Sequence, residues 1–380
     1  MAKPLAGYRV IDHGEFITAP YTAMLLGDLG AEVVKVERPG GGDRFRSFEK
    51  GHYGPQFQAF NRGKQSVVLD LDTEDDRATL RALLESADVY VQNFRPGAAE
   101  RLGFGVDDVS AINPRLVYCT ISGFGPDGPY ATRPAYDTVG QALSGFLSMF
   151  VMPDAPRIVG PATADSVTGL YAACGIIAAL LERERVGGRG RSVHVPMVAA
   201  MAHFSIEQYH RYFATGDVPG PSDRGRISQS FALACADRKL IAIHLSSPAK
   251  FWEGLVAASG RADLAHDPRF ATRMDRVRNH EALAEALRRI FAARPRAEWL
   301  RRLAAHDVPH APILGLDEAL DDPQMRHLAM DKELTHASEG RVHTLRTPIL
   351  FDGVRDDDDM TAPPALDEHG PALRDRYRKS

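Results

Sequence analysis

Strand and helix patterns alternate from the first residues of the chain, and that alternation restricts the fold more than any other feature. Residues 8–12 read as a short strand, 19–29 as a helix opened by Thr18 and Pro20 and closed by Gly30, and 32–37 as a β-rich strand. Further strands are expected at 66–71, 88–92 and 116–121, with a helix at 73–86 that carries acids in its first turn. This order implies an α/β fold with a largely parallel sheet covered by helices. The Gly- and Pro-rich stretch 123–134 reads as loop, 137–149 follows it, and a long apolar helical run begins beside Asp165. Residues 193–201 return to apolar sequence.

On that long helix Val167, Leu170, Cys174, Ile177 and Leu181 recur at three- and four-residue steps, which places one face against a core and Asp165 at the N-terminus. An acid at that junction is either a helix cap or a reacting carboxylate, and taken alone the cap is the ordinary reading.

At 380 residues the chain exceeds one ordinary core, so a large domain with a smaller one is expected. Residues 1–213 form the large domain, 214–230 a polar linker rich in Gly, Pro, Asp, Arg and Ser, and 231–339 a smaller α+β domain. The latter holds a strand at 240–245 and helices at 281–293 and 297–305, with Pro312 and Pro323 breaking later segments. The acids at 356–359 read as a solvated loop.

A net charge of −4 provides no global attraction to nucleic acid or an anionic membrane, so any bound anion must be held locally. Cys119, Cys174 and Cys235 form no C-x-x-C pair, which argues against disulfide or zinc frameworks and for a reducing compartment. The opening Met1-Ala-Lys-Pro-Leu5 has no apolar signal core, and the run 170–181 is too short to span a bilayer, so a cytoplasmic protein is expected.

The glycine clusters at 39–42 and 187–191 do not fit G-x-G-x-x-G between a strand and a helix, and neither a P-loop nor a G-x-S-x-G elbow is present. His306 and His310 lack acidic or cysteine partners at ligand spacing, so no metal is expected. Basic residues beside the strands are more informative. Arg38 follows the second strand, Arg62 and Lys64 precede the third, and Asn93-Phe-Arg95 follows the next. Each reads singly as a solvated charge; together they suggest a phosphate-bearing ligand at strand ends.

Several ordered motifs sharpen this: Pro4-Leu-x-Gly7, Leu29-Gly-Ala-Glu-Val-Val-Lys-Val-Glu37-Arg38-Pro39, Asn61-Arg-Gly-Lys64, Gln92-Asn-Phe-Arg-Pro-Gly97, Asn113-Pro-Arg115, Ser122-Gly-Phe-Gly125 and Gly187-Gly-Arg-Gly190. With them the chain resembles the class III CoA-transferases, densely over residues 4 to about 205 and by layout beyond. The resemblance implies a Rossmann-like large domain completed by 340–380, a small domain, and an interlocked homodimer. It places the catalytic aspartate on Asp165 and CoA contacts on Arg38, Leu69, Asn93, Phe94, Arg95 and Arg101, with Phe16, Ile17 and Thr18 near the thioester. Tyr136 and Asp137 join this binding set.

The expected reaction moves CoA from an acyl-CoA donor to a carboxylic acid acceptor by way of an aspartyl anhydride and an aspartyl-CoA thioester. The helix N-terminus is expected to keep Asp165 ionised. A related branch, the α-methylacyl-CoA racemases, uses a histidine where this chain has Tyr136 in Ala135-Tyr-Asp137. A phenol of pKa about 10 is a poor base at neutral pH. Tyr136 either lines the CoA channel or packs as an aromatic. A third alternative is an acyl-CoA-binding subunit without turnover, against which an intact Asp165 argues. His13-Gly14-Glu15 departs from the family pattern and leaves the roles of His13 and Glu15 open, while Arg224 or Arg226 is a candidate for a second acceptor carboxylate beside the plainer reading as linker charges.

Overall fold

The computed structural model describes residues 3–49, 51–246 and 248–377; Met1, Ala2 and the final three residues of the segment 340–380 lie outside them. The chain divides into two units, Met1–Leu147 with Ile158–His210 and Ala329–Ser380, and Ser148–Arg157 with Arg211–Leu328.

The first unit is built on six parallel strands, β1 (Arg9–His13), β2 (Glu32–Glu37), β3 (Lys64–Val68), β4 (Val89–Gln92), β5 (Val117–Ser122) and β6 (Ser192–Pro196). Their order is β3-β2-β1-β4-β5-β6. Val33, Val34 and Val36 are all buried, the pattern of a strand covered on both faces. One face packs Ala19, Ala23 and Leu26 from the helix Thr18–Asp28, and Ala172, Ala173, Ile176 and Leu180 from the helix Thr163–Val186, against Val10, Val89 and Val117. The other face packs Leu80, Leu83 and Leu84 of the helix Glu74–Glu85 and Leu373 of the helix Gly370–Tyr377 against Ile11, Val34 and Val67. The C-terminal segment is tied to β3, with Val68 N donating to Asp367 Oδ1 at 2.7 Å and Arg374 Nη1 donating to Val68 O at 2.9 Å.

The helix Thr163–Val186 corrects two expectations. At 24 residues, with a mean hydropathy of 1.6 over its most apolar window, it is long and apolar enough to cross a membrane, because residues 163–169 extend the apolar run read from sequence. Half of that window is buried, as in a core helix. Its expected stripe is only partly buried, with Val167 buried and Ile177 packed against the core. Leu170, Cys174 and Leu181 are exposed, and the small residues Ala172, Ala173 and Ala179 face inward, where they let the helix approach the strands closely.

Other local differences have plain causes. β3 begins two residues earlier than expected, because Lys64 and Gln65 join the ladder through Val33 and Val34 despite their polarity. A hairpin of β10 (Asp331–His336) and β11 (Gly340–Leu345) pairs Asp331 with Leu345, which carries residues from 331 onward into the first unit. Within the acid run Asp357 is buried and takes both Nε and Nη2 of Arg346, at 2.5 and 2.6 Å.

The second unit holds an antiparallel sheet of β7 (Ser230–Ala234), β8 (Leu240–His244) and β9 (His310–Ile313). β7 was not expected, since it abuts the polar stretch before it. That stretch is itself ordered into a helix, Asp223–Ser228, where Arg226 pairs with Asp223 at 2.5 Å. Pro312 is accommodated in β9 because that strand is an edge. Helices His280–Phe291 and Arg296–Ala305 cover this sheet around Trp299, whose ring stacks on Phe291 at 4.3 Å.

Candidate active site

In the six-stranded sheet the order reverses between β1 and β4, and the crevice beyond the C-terminal ends of such strands is where open α/β sheets take ligands. A cleft of about 530 Å³ opens there. It is lined by Phe16, Ile17 and Thr18 after β1, Arg38 and Arg44 after β2, Asn93, Phe94, Arg95 and Arg101 after β4, Arg133 and Tyr136 after β5, and Asp165. A smaller cleft of about 260 Å³ shares Glu15, Arg38 and Phe94 with it and contains Leu69 and His13. Asp165 and every CoA-contact position that the resemblance implied except Asp137 line one of these two clefts.

The loop after β1 is held from below by buried charges. Lys35 and Lys64 are wholly buried, and both reach Asp12 Oδ2, at 3.5 and 2.8 Å. Burial opposes the charge on Asp12, but the two ammonium groups outweigh it and hold the carboxyl below its ordinary range. Burial with the charge of Lys35 lowers Lys64 to about 8. Lys35 Nζ also donates to Gly14 O at 2.8 Å and pairs with Asp43 at 2.9 Å. Asp43 Oδ1 in turn accepts from Phe16 N at 3.1 Å. These bonds support Phe16 at φ 66, a conformation that a bulky residue adopts only when its surroundings impose it. A Cβ on Gly14 would lie 2.3 Å from Ala19 Cβ, so only glycine allows the turn into the helix.

Asn93 joins the β4 loop to the β1 loop. Its Nδ2 donates to Glu15 O at 2.8 Å and Thr18 Oγ1 at 2.9 Å, and its Oδ1 accepts from Glu15 N at 3.0 Å. Phe16 packs edge-on against Tyr136, with ring centroids 5.8 Å apart, so Tyr136 both lines the cleft and packs as an aromatic.

Two assignments change. Arg62 and Lys64 do not face either cleft: Arg62 is paired with Asp28 at 2.5 Å, and Lys64 is spent on Asp12, Asn61 and Pro20 O. Asp137 lies outside the lining of both clefts and acts as a helix cap. The helix Thr163–Val186 begins at Ala162, which has no capping side chain, and Asp137 Oδ1 supplies the acceptor from outside, taking Ala164 N at 2.7 Å and Asp165 N at 3.2 Å. Asp165 is thus the third residue of the helix and not its cap.

The charge state of Asp165 also departs from expectation. Burial, with the neighbouring Asp137 carboxylate, raises its pKa from 3.8 to about 7. The helix dipole does not keep it strongly acidic, because Asp137 already satisfies the end amides and adds a negative charge.

Arg44, Arg133 and Glu15 belong to the cleft without having been assigned to it from sequence. The strand-end argument that selected Arg38 reaches Arg44 and Arg133 when extended a few residues into the loops after β2 and β5. Five arginines consequently face a cleft whose acids, among the described residues, are Asp165 and Glu15. The local field is cationic although the chain is net acidic. No histidine lines this cleft among the described residues. His13 lies in the smaller one, hydrogen-bonded to the Tyr90 hydroxyl at 2.7 Å, and burial lowers it to about 4. No group of three or more His, Cys, Asp or Glu side chains suited to a metal occurs among the described residues.

Residues 5–370 match CoA-transferase family III. The chain is 36% identical over 379 residues to an acetyl-CoA:oxalate CoA-transferase of Acetobacter aceti, covering 98% of this chain and 96% of that protein. It is 33% identical over 398 residues to a formyl-CoA:oxalate CoA-transferase of Streptomyces avermitilis, covering 97% and 94%. The crystal structure of a CAIB/BAIF family protein from Brucella suis superposes with a TM-score of 0.85 at 34% identity, over 99% of this chain and 100% of that one.

Proposed function

The chain belongs to CoA-transferase family III and is a CoA-transferase, and on that premise we propose that Asp165 carries CoA from an acyl-CoA donor to a carboxylic acid. The observation that carries this reading is the placement of Asp165 in the arginine-lined cleft at the sheet's switch point. An Asp165 carboxylate oxygen attacks the thioester carbonyl, the C–S bond breaks, and a mixed anhydride and CoA thiolate result. The thiolate then attacks the aspartyl carbonyl carbon, releasing the donor as its carboxylate and leaving an aspartyl-CoA thioester. The acceptor carboxylate attacks that thioester and expels the thiolate. Finally the thiolate takes the acceptor acyl group and frees Asp165. No net proton is exchanged, so the cleft needs no separate base. Backbone amides and arginines steady the oxyanions, and the remote nucleotide portion of CoA supplies binding energy that positions the thioester.

The relatives named for oxalate motivate a short dicarboxylic acid as acceptor. Incubating the protein with acetyl-, formyl- and succinyl-CoA against a panel of acids, followed by mass spectrometry, is expected to yield a new acyl-CoA and a hydroxylamine-trapped adduct at Asp165. Loss of configuration at the α-carbon of a 2-methylacyl-CoA without an adduct would replace this reading by racemisation, which is disfavoured because the position of the racemase histidine holds Tyr136 and, among the described residues, no histidine lines the cleft.

The homodimer is part of the same proposal. Leu170, Leu181, Phe204 and Ile206 are each about half exposed, and exposed large apolar side chains are the kind a second copy covers. Light scattering at micromolar concentration is expected to give twice the 41.6 kDa of one chain, and a monomer would overturn it.

A further inference from the structure

Glu15 stands on the wall shared by the two clefts and bridges two of the arginines that line the larger one, Arg38 and Arg44. Its two carboxylate oxygens lie 3.2 Å from Arg38 Nε and 3.2 Å from Arg44 Nε. Its backbone is fixed at both N and O by Asn93, so only side-chain torsions are needed to move the carboxylate away. The two arginines have other supports. Arg38 Nε donates to Gly42 O at 3.1 Å, and the Arg44 guanidinium lies 5.8 Å from the centre of the Phe16 ring.

The pairing is weak. Both guanidinium side chains are more than half exposed, and exposed ion pairs contribute little. Glu15 itself is mostly buried, and burial raises its pKa in spite of Arg44 and Arg38, with Asp43 adding to the rise. Its carboxylate is therefore not fully compensated where it sits. A phosphate offers the same two guanidiniums more charge and more acceptor oxygens.

We propose that Glu15 is an internal occupant of an anion subsite formed by Arg38 and Arg44, which a phosphate of the CoA ligand takes over on binding. This rests on the functional reading above and deepens it. Glu15 competes with the ligand, weakens its hold and eases release of the product thioester. Such a device suits a transferase whose donor and product share the same CoA portion, since a tightly held CoA group would slow exchange.

Calorimetric titration of the wild type and Glu15→Gln with CoA and with dephospho-CoA tests it. Glu15→Gln is expected to bind CoA about threefold to tenfold more tightly, and the gain is expected to vanish when Arg44→Ala is added. A gain absent with dephospho-CoA identifies the 3′-phosphate as the displacing group; a gain retained identifies the diphosphate. Unchanged or weaker CoA binding by Glu15→Gln, in a protein that melts as the wild type does, overturns the proposal and leaves the functional reading standing. No CoA binding by either protein overturns both.

Discussion

Replacing Asp165 with alanine is expected to lower kcat for CoA exchange by about a thousandfold or more, because the covalent carrier is lost. CoA should still bind within about threefold of the wild type, since the five arginines of the cleft stand after β2, β4 and β5 and not on the Asp165 helix. Exchange that survives in Asp165→Ala, or a hydroxylamine adduct at another residue, would rule out the mechanism. Asp165→Asn carries a second expectation, about stability. The carboxyl has its pKa raised on folding from 3.8 to about 7 by burial and by Asp137. A raised acid binds its proton more tightly in the folded state, so its ionisation costs stability. That cost is absent below the unfolded value, grows between the two values and is complete above the folded one. Asp165→Asn should accordingly melt above the wild type at about pH 8 and converge with it near about pH 4. Equal melting temperatures at both would mean that the carboxyl is not held against its charge.

Much of the scaffold for this chemistry is legible in the chain because it depends on local pattern. β1, β2, β4 and β5 are short apolar runs between turn signals, and buried parallel strands leave that trace. Arg38, Asn93 and Arg95, which line the cleft, were readable as candidates because they follow strands directly. Arg62 and Lys64 obey a similar count yet fail, because Asp28 and Asp12, which claim them, are distant in sequence and are brought near only by the packed sheet. The orientation of the Asp165 helix was hidden for a related reason. A helix that is apolar nearly all round gives no clear stripe to follow, and here Ala172, Ala173, Ile176 and Leu180, not Leu170, Cys174 and Leu181, are buried against the sheet. The polar stretch before β7 concealed a helix and a strand, since the pairing of Ser230–Ala234 with Leu240–His244 gives β7 a stability that its own composition does not advertise.

The role of Asp137 was the least readable, since the contact joins residues 27 and 28 positions apart and leaves no periodic mark. It has two opposed effects on Asp165. By accepting from Ala164 N and Asp165 N it fixes the first turn of the helix, and with it the direction in which the Asp165 carboxylate enters the cleft. By its charge it helps to raise that carboxyl toward neutrality, which makes a stronger nucleophile but leaves less of it ionised at low pH. The cleft also carries Glu15, Arg38, Arg44, Arg95, Arg101 and Arg133, yet Asp137 is the charge that, after burial, moves Asp165. Two substitutions separate the effects. Asp137→Ala removes acceptor and charge together, and a misdirected nucleophile is expected to lower kcat by about a hundredfold with little change in KM. Asp137→Asn keeps an amide oxygen that can accept the same two N–H groups, so kcat at high pH should stay within about tenfold of the wild type. With the charge gone, the acidic limb of the kcat profile, expected near pH 7 in the wild type from the raised Asp165 value, should move to lower pH. An unmoved limb in Asp137→Asn would show that burial alone sets the acidity of Asp165, and an Asp137→Ala variant as active as the wild type would show that the helix end needs no cap from outside.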